Sequence, residues 1–277
     1  MAESRKCQVL VIGAGPGGYV AGIRSAQLGL DTIVVEGDKA GGTCLIRGCI
    51  PSKAIIHAAE RFESLRQHSA DGGHMGLSVK GEAEVDMVGL VSWKDSIVDR
   101  LNKGVEGLLK AAGADLIKGW ARFEGPKSCI IDTGAESVKI EAENVIIATG
   151  SSHIDLPFMP CDEEFVISST GALDLEALPK SVAIVGGGYI GLELGCALAK
   201  LGSKITVVEG MSSVLAIMDK EIRRPLEIWL KKHKVTVHTD SLARGVEIKG
   251  RGASKKAELT FEKDGTEHKV KVDKVLV

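Results

Sequence analysis

The chain has 277 residues, 44% of them hydrophobic and 26% charged, with a formal net charge of −2. That length suits two domains of ordinary size, and the even mixture of charge offers no basic face for nucleic acid or for an anionic membrane surface. No apolar run approaches the ~18 residues of a membrane span. The polar start, residues 1–6, lacks a signal-peptide core and is too acidic for a transit peptide; the expectation is a cytoplasmic protein, or a mitochondrial matrix protein if processed.

In chain order, residues 9–18 (VLVIGAGPGG) predict an apolar strand running into a glycine turn and then a helix. The helix stops at Leu28-Gly29, and a second apolar strand ends in Glu36. Residues 51–66 predict a helix and Asp71-Gly72-Gly73 a turn. Residues 93–112 predict a second helix, with Ile97, Leu101, Val105 and Leu108 as its core-facing stripe. Between 115 and 147 short β-type runs alternate with turns such as Glu124-Gly125-Pro126, which predicts a small sheet. Ile146-Ile147-Ala148-Thr149-Gly150 reads as a buried strand meeting a turn. After a linker with Pro157 and Pro160, residues 182–191 (VAIVGGGYIG) begin a second unit. A helix over 221–233 and strands over 235–238, 257–261 and 270–277 follow it.

The second unit repeats the first at an offset of 173 residues, which also maps Leu28-Gly29 onto Leu201-Gly202 and Glu36 onto Glu209. Each unit is a strand, glycine turn, helix and strand ending in a carboxylate, the βαβ pattern that binds dinucleotides. Gly13 and Gly186 permit the tight turn, and Gly15 and Gly188 let a pyrophosphate approach the backbone. Gly18 and Gly191 let the helix pack on the sheet. Glu36 and Glu209 each lie 23 residues after the first glycine, where a carboxylate accepts from a ribose hydroxyl. One such motif is weak; two in matching context outweigh the alternative of glycines retained for packing alone.

Six cysteines are present, and only Cys44 and Cys49 are close in sequence. The other four, Cys7, Cys129, Cys161 and Cys196, read as small buried hydrophobes. Pro51 favours a helix start, which puts Cys49 at a helix N-terminus where a thiolate is stabilised and its pKa falls below ~8.5. Lys53 would stand one helical turn further on. The pair admits three readings. A zinc site would recruit His57, but no fourth ligand has typical spacing. Two inert thiols fit poorly among glycines and cations. A redox disulfide fits best, because a dithiol and a hydride cofactor both exchange two electrons and two dinucleotide sites would accommodate a flavin relay and a nicotinamide. No metal is expected.

Four stretches carry a family likeness: GGTCLIRGCIPSK (41–53), VIGAGPGGYVAGIRSAQLG (11–29), IIATGS (146–151) and VGGGYIGLELG (185–195). Together they resemble the pyridine nucleotide–disulfide oxidoreductases, and within that family the members that oxidise dihydrolipoamide with NAD as the flavoprotein component of 2-oxo acid dehydrogenase complexes. The resemblance implies an α/β protein of two Rossmann-like FAD/NAD(P)-binding domains with parallel central sheets and small antiparallel β additions. Residues 1–150 would form the FAD domain, with the redox disulfide, and 151–277 an incomplete NAD domain. It implies that Gly13, Gly15, Gly17, Gly18, Glu36, Gly42, Thr43, Lys53, Thr149 and Gly150 hold FAD, and that Gly186, Gly188, Tyr189, Gly191 and Glu209 serve NAD. Cys44 would be the thiol that exchanges with substrate and Cys49 the thiol beside the flavin, with Lys53 paired to Glu193 near the flavin's reactive end.

Glu209 should repel a 2′-phosphate and so favour NAD over NADP. Ile46 stands where asparagine is common in the family. In the family, the approach to a Gly-Arg turn after residue 277 would lead to the rest of the nicotinamide domain, a second flavin segment and a C-terminal interface domain. That domain supplies the homodimer contact and a His–Glu acid/base pair. Without a general acid/base the chain as written is expected to turn over about 10²–10⁴-fold more slowly, or not at all. The expected partner is dihydrolipoamide or the lipoyl domain of a 2-oxo acid dehydrogenase complex. Two other readings are a related NADH-dependent disulfide or quinone reductase and a non-catalytic nucleotide-binding fragment.

Overall fold

The computed structural model describes residues 3–69 and 76–277; the turn expected at Asp71-Gly72-Gly73 lies outside the described residues. The fold is mixed α/β, with parallel central sheets and antiparallel additions as expected. The chain divides into two compact units, Met1–Pro51 with Asp95–Ser152, and Ser52–Lys94 with His153–Val277. The segment 52–94 therefore packs with the second unit, although it precedes residue 150 in the sequence.

The first unit opens with β1 (Glu3–Ile12), α1 (Pro16–Gln27), β2 (Thr32–Glu36) and α2 (Gly42–Arg47). Helices α3 (Cys49–Ser69) and α4 (Met87–Ala112) follow, then β3 (Asp115–Lys118), β4 (Trp120–Gly125), β5 (Ser128–Asp132) and β6 (Ser137–Ile147). All six strands form one sheet, in the order β3-β2-β1-β6-β5-β4. β1, β2, β3 and β6 run parallel, while β4, β5 and β6 form an antiparallel meander. The sheet expected over 115–147 is thus not separate. β6 is long enough to pair with β1 along most of its length and with β5 over its first five residues.

The continuous apolar runs of β1 and β2 follow from burial on both faces, since successive side chains point to opposite sides. Val9, Val11 and Val34 meet Leu45, Val98, Val105 and Leu109 on the helical side. Leu10, Ile12, Ile33 and Val35 meet Cys129, Ile131 and Ile140 on the meander side.

Two expectations need correction here. α4 turns a different stripe to the core: Val98, Val105 and Leu109 are buried, whereas Leu101 is 38% and Leu108 58% exposed. The buried face was disguised by two polar members whose bonding is satisfied. Asn102 Nδ2 donates to Ala40 O at 2.6 Å, and Lys94 Nζ donates to Leu173 O at 3.2 Å and to Asp174 at 2.5 Å. The run at 146–150 is also not buried: Ile147 is 66% exposed. Beyond Glu141 the edge of β6 that faces away from β1 has no paired strand among the described residues.

The second unit comprises β7 (Val166–Ile167), α5 (Ser169–Leu173), β8 (Ser181–Val185), α6 (Tyr189–Leu201), β9 (Lys204–Val208) and α7 (Lys220–Lys232). It continues with β10 (Thr236–His238), β11 (Ser241–Lys249), β12 (Lys256–Lys263), β13 (Thr266–Val272) and β14 (Lys274–Leu276). A parallel sheet has the order β10-β9-β8-β14-β7, and β11-β12-β13 form an antiparallel sheet. β12 lays Ala257, Leu259 and Phe261 against Ala183 and Val208 of the parallel sheet.

The single strand expected over 270–277 is two. At Asp273 the chain leaves the antiparallel sheet for the parallel one, and the Asp273 carboxylate accepts from Ser181 N and Oγ, both at 2.9 Å, and from Lys256. β11 went unread because a register shift between Ala243 and Gly245 interrupts its alternation. The 173-residue repeat extends to topology: β8, β9, β10 and β14 occupy the places of β1, β2, β3 and β6.

Candidate functional site

In the first unit the chain leaves β1 through Gly13, at φ +98°, a left-handed conformation that suits glycine. A Cβ there would also collide with Ala148 O, so the end of β6 closes over the turn. At Gly18 a Cβ would collide with Gly13 O; the third glycine lets α1 start tight against the turn. Gly15 is the N-cap of α1 and supplies no side-chain cap, so first-turn N–H groups remain for a ligand. A Cβ at Gly17 would meet nothing within 4 Å. Glu36 reaches back: Oε2 accepts from Ala14 N at 2.7 Å and Oε1 from Asp38 N at 2.9 Å. Thr149 and Gly150, both exposed, continue from the Ala148 that packs on Gly13.

The cysteine loop is fastened to this turn. Gly41 N donates to Ala14 O at 2.7 Å, and a Cβ on Gly42 would lie 2.5 Å from Gly15 Cα. The backbones of the two glycine segments touch. Asp38 forms an ion pair with Arg47 of α2, Lys39 Nζ lies 3.5 Å from Asp99, and Asn102 holds the Ala40 carbonyl. These clamps bring Cys44 on α2 and Cys49, the first residue of α3, to a Cα–Cα distance of 4.6 Å, and they are joined as a disulfide. Cys44 is half-buried and Cys49 exposed, as is Thr43. Asp38, Asn102 and Arg47 were not singled out from sequence. Asn102 had a usable signal, a short amide in the apolar pattern of a helix.

The second turn repeats the first. Gly186 lies at φ +96°, Gly188 is the N-cap of α6 without a side-chain cap, and Cβ atoms at either would meet nothing within 4 Å. At Gly191 a Cβ would lie 2.8 Å from Ile184 Cγ2, the close packing of helix on strand. Glu209 accepts from Gly187 N through Oε2 and from Met211 N through Oε1. Those partners are the residues 173 positions beyond Ala14 and Asp38. Tyr189 opens α6 with 58% of its surface exposed. In the same unit Lys53 Nζ donates to both oxygens of Glu193, at 2.8 and 2.7 Å.

The remaining thiols are poorly suited to exchange. Burial, then the neighbouring Asp31, pushes Cys7 up to about 11, and burial raises Cys129. Burial with acidic neighbours takes Cys161 to about 11, and burial alone takes Cys196 there despite Lys200. At neutral pH they stay protonated, and thiols are weak nucleophiles. Among the described residues no three His, Cys, Asp or Glu side chains converge to hold a metal ion, and no helix is long and apolar enough to cross a membrane.

The pyridine nucleotide-disulphide oxidoreductase family profile matches residues 7–277. Dihydrolipoyl dehydrogenase of Pseudomonas aeruginosa is 46% identical over 239 residues, covering 86% of this chain and 51% of the relative. The Geobacillus stearothermophilus dihydrolipoyl dehydrogenase is 41% identical over 98% of this chain and 55% of its own length. Among solved structures, LpdA of Mycobacterium tuberculosis superposes with a TM-score of 0.84 at 25% identity, over 97% of this chain and 57% of that one. The chain thus spans about half the length of the curated relatives it matches. With the repeated glycine turns and the disulfide loop in place, the chain belongs to the pyridine nucleotide-disulphide oxidoreductase family.

Proposed function

We propose that the chain carries the nucleotide-binding and disulfide-exchanging parts of an enzyme of the dihydrolipoyl dehydrogenase type, which oxidises dihydrolipoamide to lipoamide with NAD as acceptor. The observation that carries this reading is the Cys44–Cys49 disulfide on a loop bonded to the first glycine turn. Gly13, Gly15, Gly17, Gly18 and Glu36 would hold FAD, helped by Gly42, Thr43, Lys53, Thr149 and Gly150. Gly186, Gly188, Gly191, Tyr189 and Glu209 would hold NAD. The uncapped helix starts and the open space before Gly17 and Gly188 suit a pyrophosphate laid against the backbone. Both carboxylates spend one lone pair per oxygen on backbone N–H groups and keep others for ribose hydroxyls.

In this reading a substrate thiolate attacks Cys44 Sγ, and Cys49 leaves as a thiolate at the start of α3, where the helix dipole stabilises the charge. The second substrate thiol then attacks its own sulfur in the mixed disulfide. Cys44 is released, the product closes as a cyclic disulfide, and two electrons rest on the Cys44–Cys49 dithiol. Bound FAD would relay those two electrons to the nicotinamide. The Lys53–Glu193 pair would present a fixed cation, and Glu209 would disfavour a 2′-phosphate. The partner would be dihydrolipoamide, free or borne on the lipoyl domain of a 2-oxo acid dehydrogenase complex.

The test is anaerobic addition of dihydrolipoamide to protein loaded with FAD, with thiol alkylation mapped by mass spectrometry and the visible spectrum recorded alongside. Cys44 and Cys49 should become alkylated together while the flavin spectrum changes. A disulfide that survives saturating dihydrolipoamide in flavin-loaded protein would end the proposal.

A further inference from the structure

The face of the parallel sheet in the second unit that meets β12 is apolar at its centre and polar at one side. There Lys204 and Thr206 of β9, with Thr236 and His238 of β10, form one wall of a cleft of about 290 Å³; Phe261 and His268 form the other. In the first unit the positions of Lys204, Thr206 and His238 are held by Asp31, Ile33 and Ile117; Ile33 is buried in an apolar core and Ile117, partly buried, packs against it. The second unit gives up that apolar packing. Thr206, only 6% exposed, lines the cleft, and its hydroxyl is open to solvent there rather than sealed in the core.

The cleft's charge is of one sign. Lys204 has no acidic partner among the described residues, and Lys263 and His268 both act electrostatically on His238. Burial first, then Lys263 and His268, holds the His238 imidazole below its ordinary range. The lysines at the rim, Lys269 and Lys271, are paired with Glu267 and Glu258, and Asp273 is bonded to Lys256 and Ser181. The His238 ring lies 4.8 Å from that of Phe261, and His268 lies 5.4 Å from it on the other strand of the hairpin. An unpaired ammonium, hydroxyl donors and two imidazoles facing one small space is a donor set for an oxyanion.

We propose that this cleft between β9–β10 and β12–β13 is a binding site for a small phosphate-class anion, either inorganic phosphate or the phosphoryl group of a small metabolite. The site is separate from the glycine turns and does not depend on the reading of their function.

The experiment follows the His238 and His268 ring resonances by NMR as chloride is replaced by inorganic phosphate, and in parallel by glycerol phosphate, at constant ionic strength. Both rings should shift saturably, and the tighter of the two anions identifies the source. Lys204→Ala should weaken binding by about tenfold or more, the usual worth of a charge-assisted hydrogen bond, with NAD binding unchanged. Thr206→Val keeps the side-chain shape while removing the hydroxyl from the cleft wall and should also weaken it, so the test does not rest on one variant. Absence of a saturable shift would overturn the proposal. So would a shift that survives both substitutions, or one abolished by NAD, because the anion would then sit at the glycine turn.

Discussion

The two βαβ repeats are the same device finished differently. In both, a carboxylate at the end of the second strand ties down the second residue of the glycine turn and the residue two positions beyond itself. In the first repeat the turn is closed over by Ala148 from β6, and the cysteine loop is bonded to it. In the second repeat the third glycine packs against Ile184 of its own strand, where in the first it packs against the Gly13 carbonyl. The repeats share the geometry of the glycine turn and differ in what packs against it.

That comparison can be broken most severely at the third glycine. A Cβ at Gly18 collides with the Gly13 backbone carbonyl, whereas at Gly191 it meets a movable Ile184 methyl at 2.8 Å and the Gly186 oxygen at 3.2 Å. Gly18→Ala should cost about 3 kcal/mol or more and Gly191→Ala about 1–2, the upper and middle range for overpacking. Separate denaturation midpoints for the two variants would measure this, and equal losses would mean that the turns are equally tight. Next, Glu36→Ala and Glu209→Ala each strand two backbone N–H groups, at about 1–3 kcal/mol for each unsatisfied group that is kept from water. Only Glu209→Ala should narrow the preference for NADH over NADPH, read by titrating both. A selectivity change in Glu36→Ala instead would reverse the assignment of the two turns.

Much of the site was legible because the chemistry lies in short runs: glycines at fixed spacing, a carboxylate 23 residues on, two cysteines five apart. The clamps were harder to read: no local pattern marks Asp38 or Arg47 as an ion pair, and Asn102 offered only the signal of a short amide in the apolar pattern of a helix. The core stripe of α4 was misread because two apolar stripes share Val105, and the true one includes Lys94 and Asn102. Exposure at Ile146 and Ile147 was equally invisible: their sequence is that of a buried strand, and they lie on an edge of β6 that pairs with no strand among the described residues.

Smaller effects sharpen the contrast between the continuous β6 and the broken β13–β14. Burial pushes the Asp273 carboxyl up, but its bonds to Lys256 and Ser181 outweigh that and hold it below its ordinary range. A depressed folded-state value stabilises the fold above the unfolded value, and the benefit disappears as pH falls through the folded one. Asp273→Asn should therefore lose about 1 kcal/mol at neutral pH and nothing once pH is well below about 4, by comparison of urea midpoints across pH. The Lys53–Glu193 pair is half-exposed, at 59% and 38% for the two side chains. Lys53→Ala should change stability by less than about 1 kcal/mol; a larger loss would make the pair structural.

The clamps on the cysteine loop also bear on rates. Gly41, Ala40 and Asp38 fix the entrance to α2, while Ile46 and Ile50 pack into the core on either side of Gly48. Those anchors do not involve the sulfurs, so when another thiol is joined to Cys44 as a mixed disulfide the Cys49 thiolate stands beside it. Its attack on Cys44 Sγ re-forms the Cys44–Cys49 bond and expels the other thiol as a thiolate. That exchange is an intramolecular step, and such steps reach effective concentrations of about 10⁵ M or more when the geometry is held. A mixed disulfide formed on Cys44 would be resolved by Cys49 far faster than by any thiol in solution, which keeps the loop from being trapped by stray thiols.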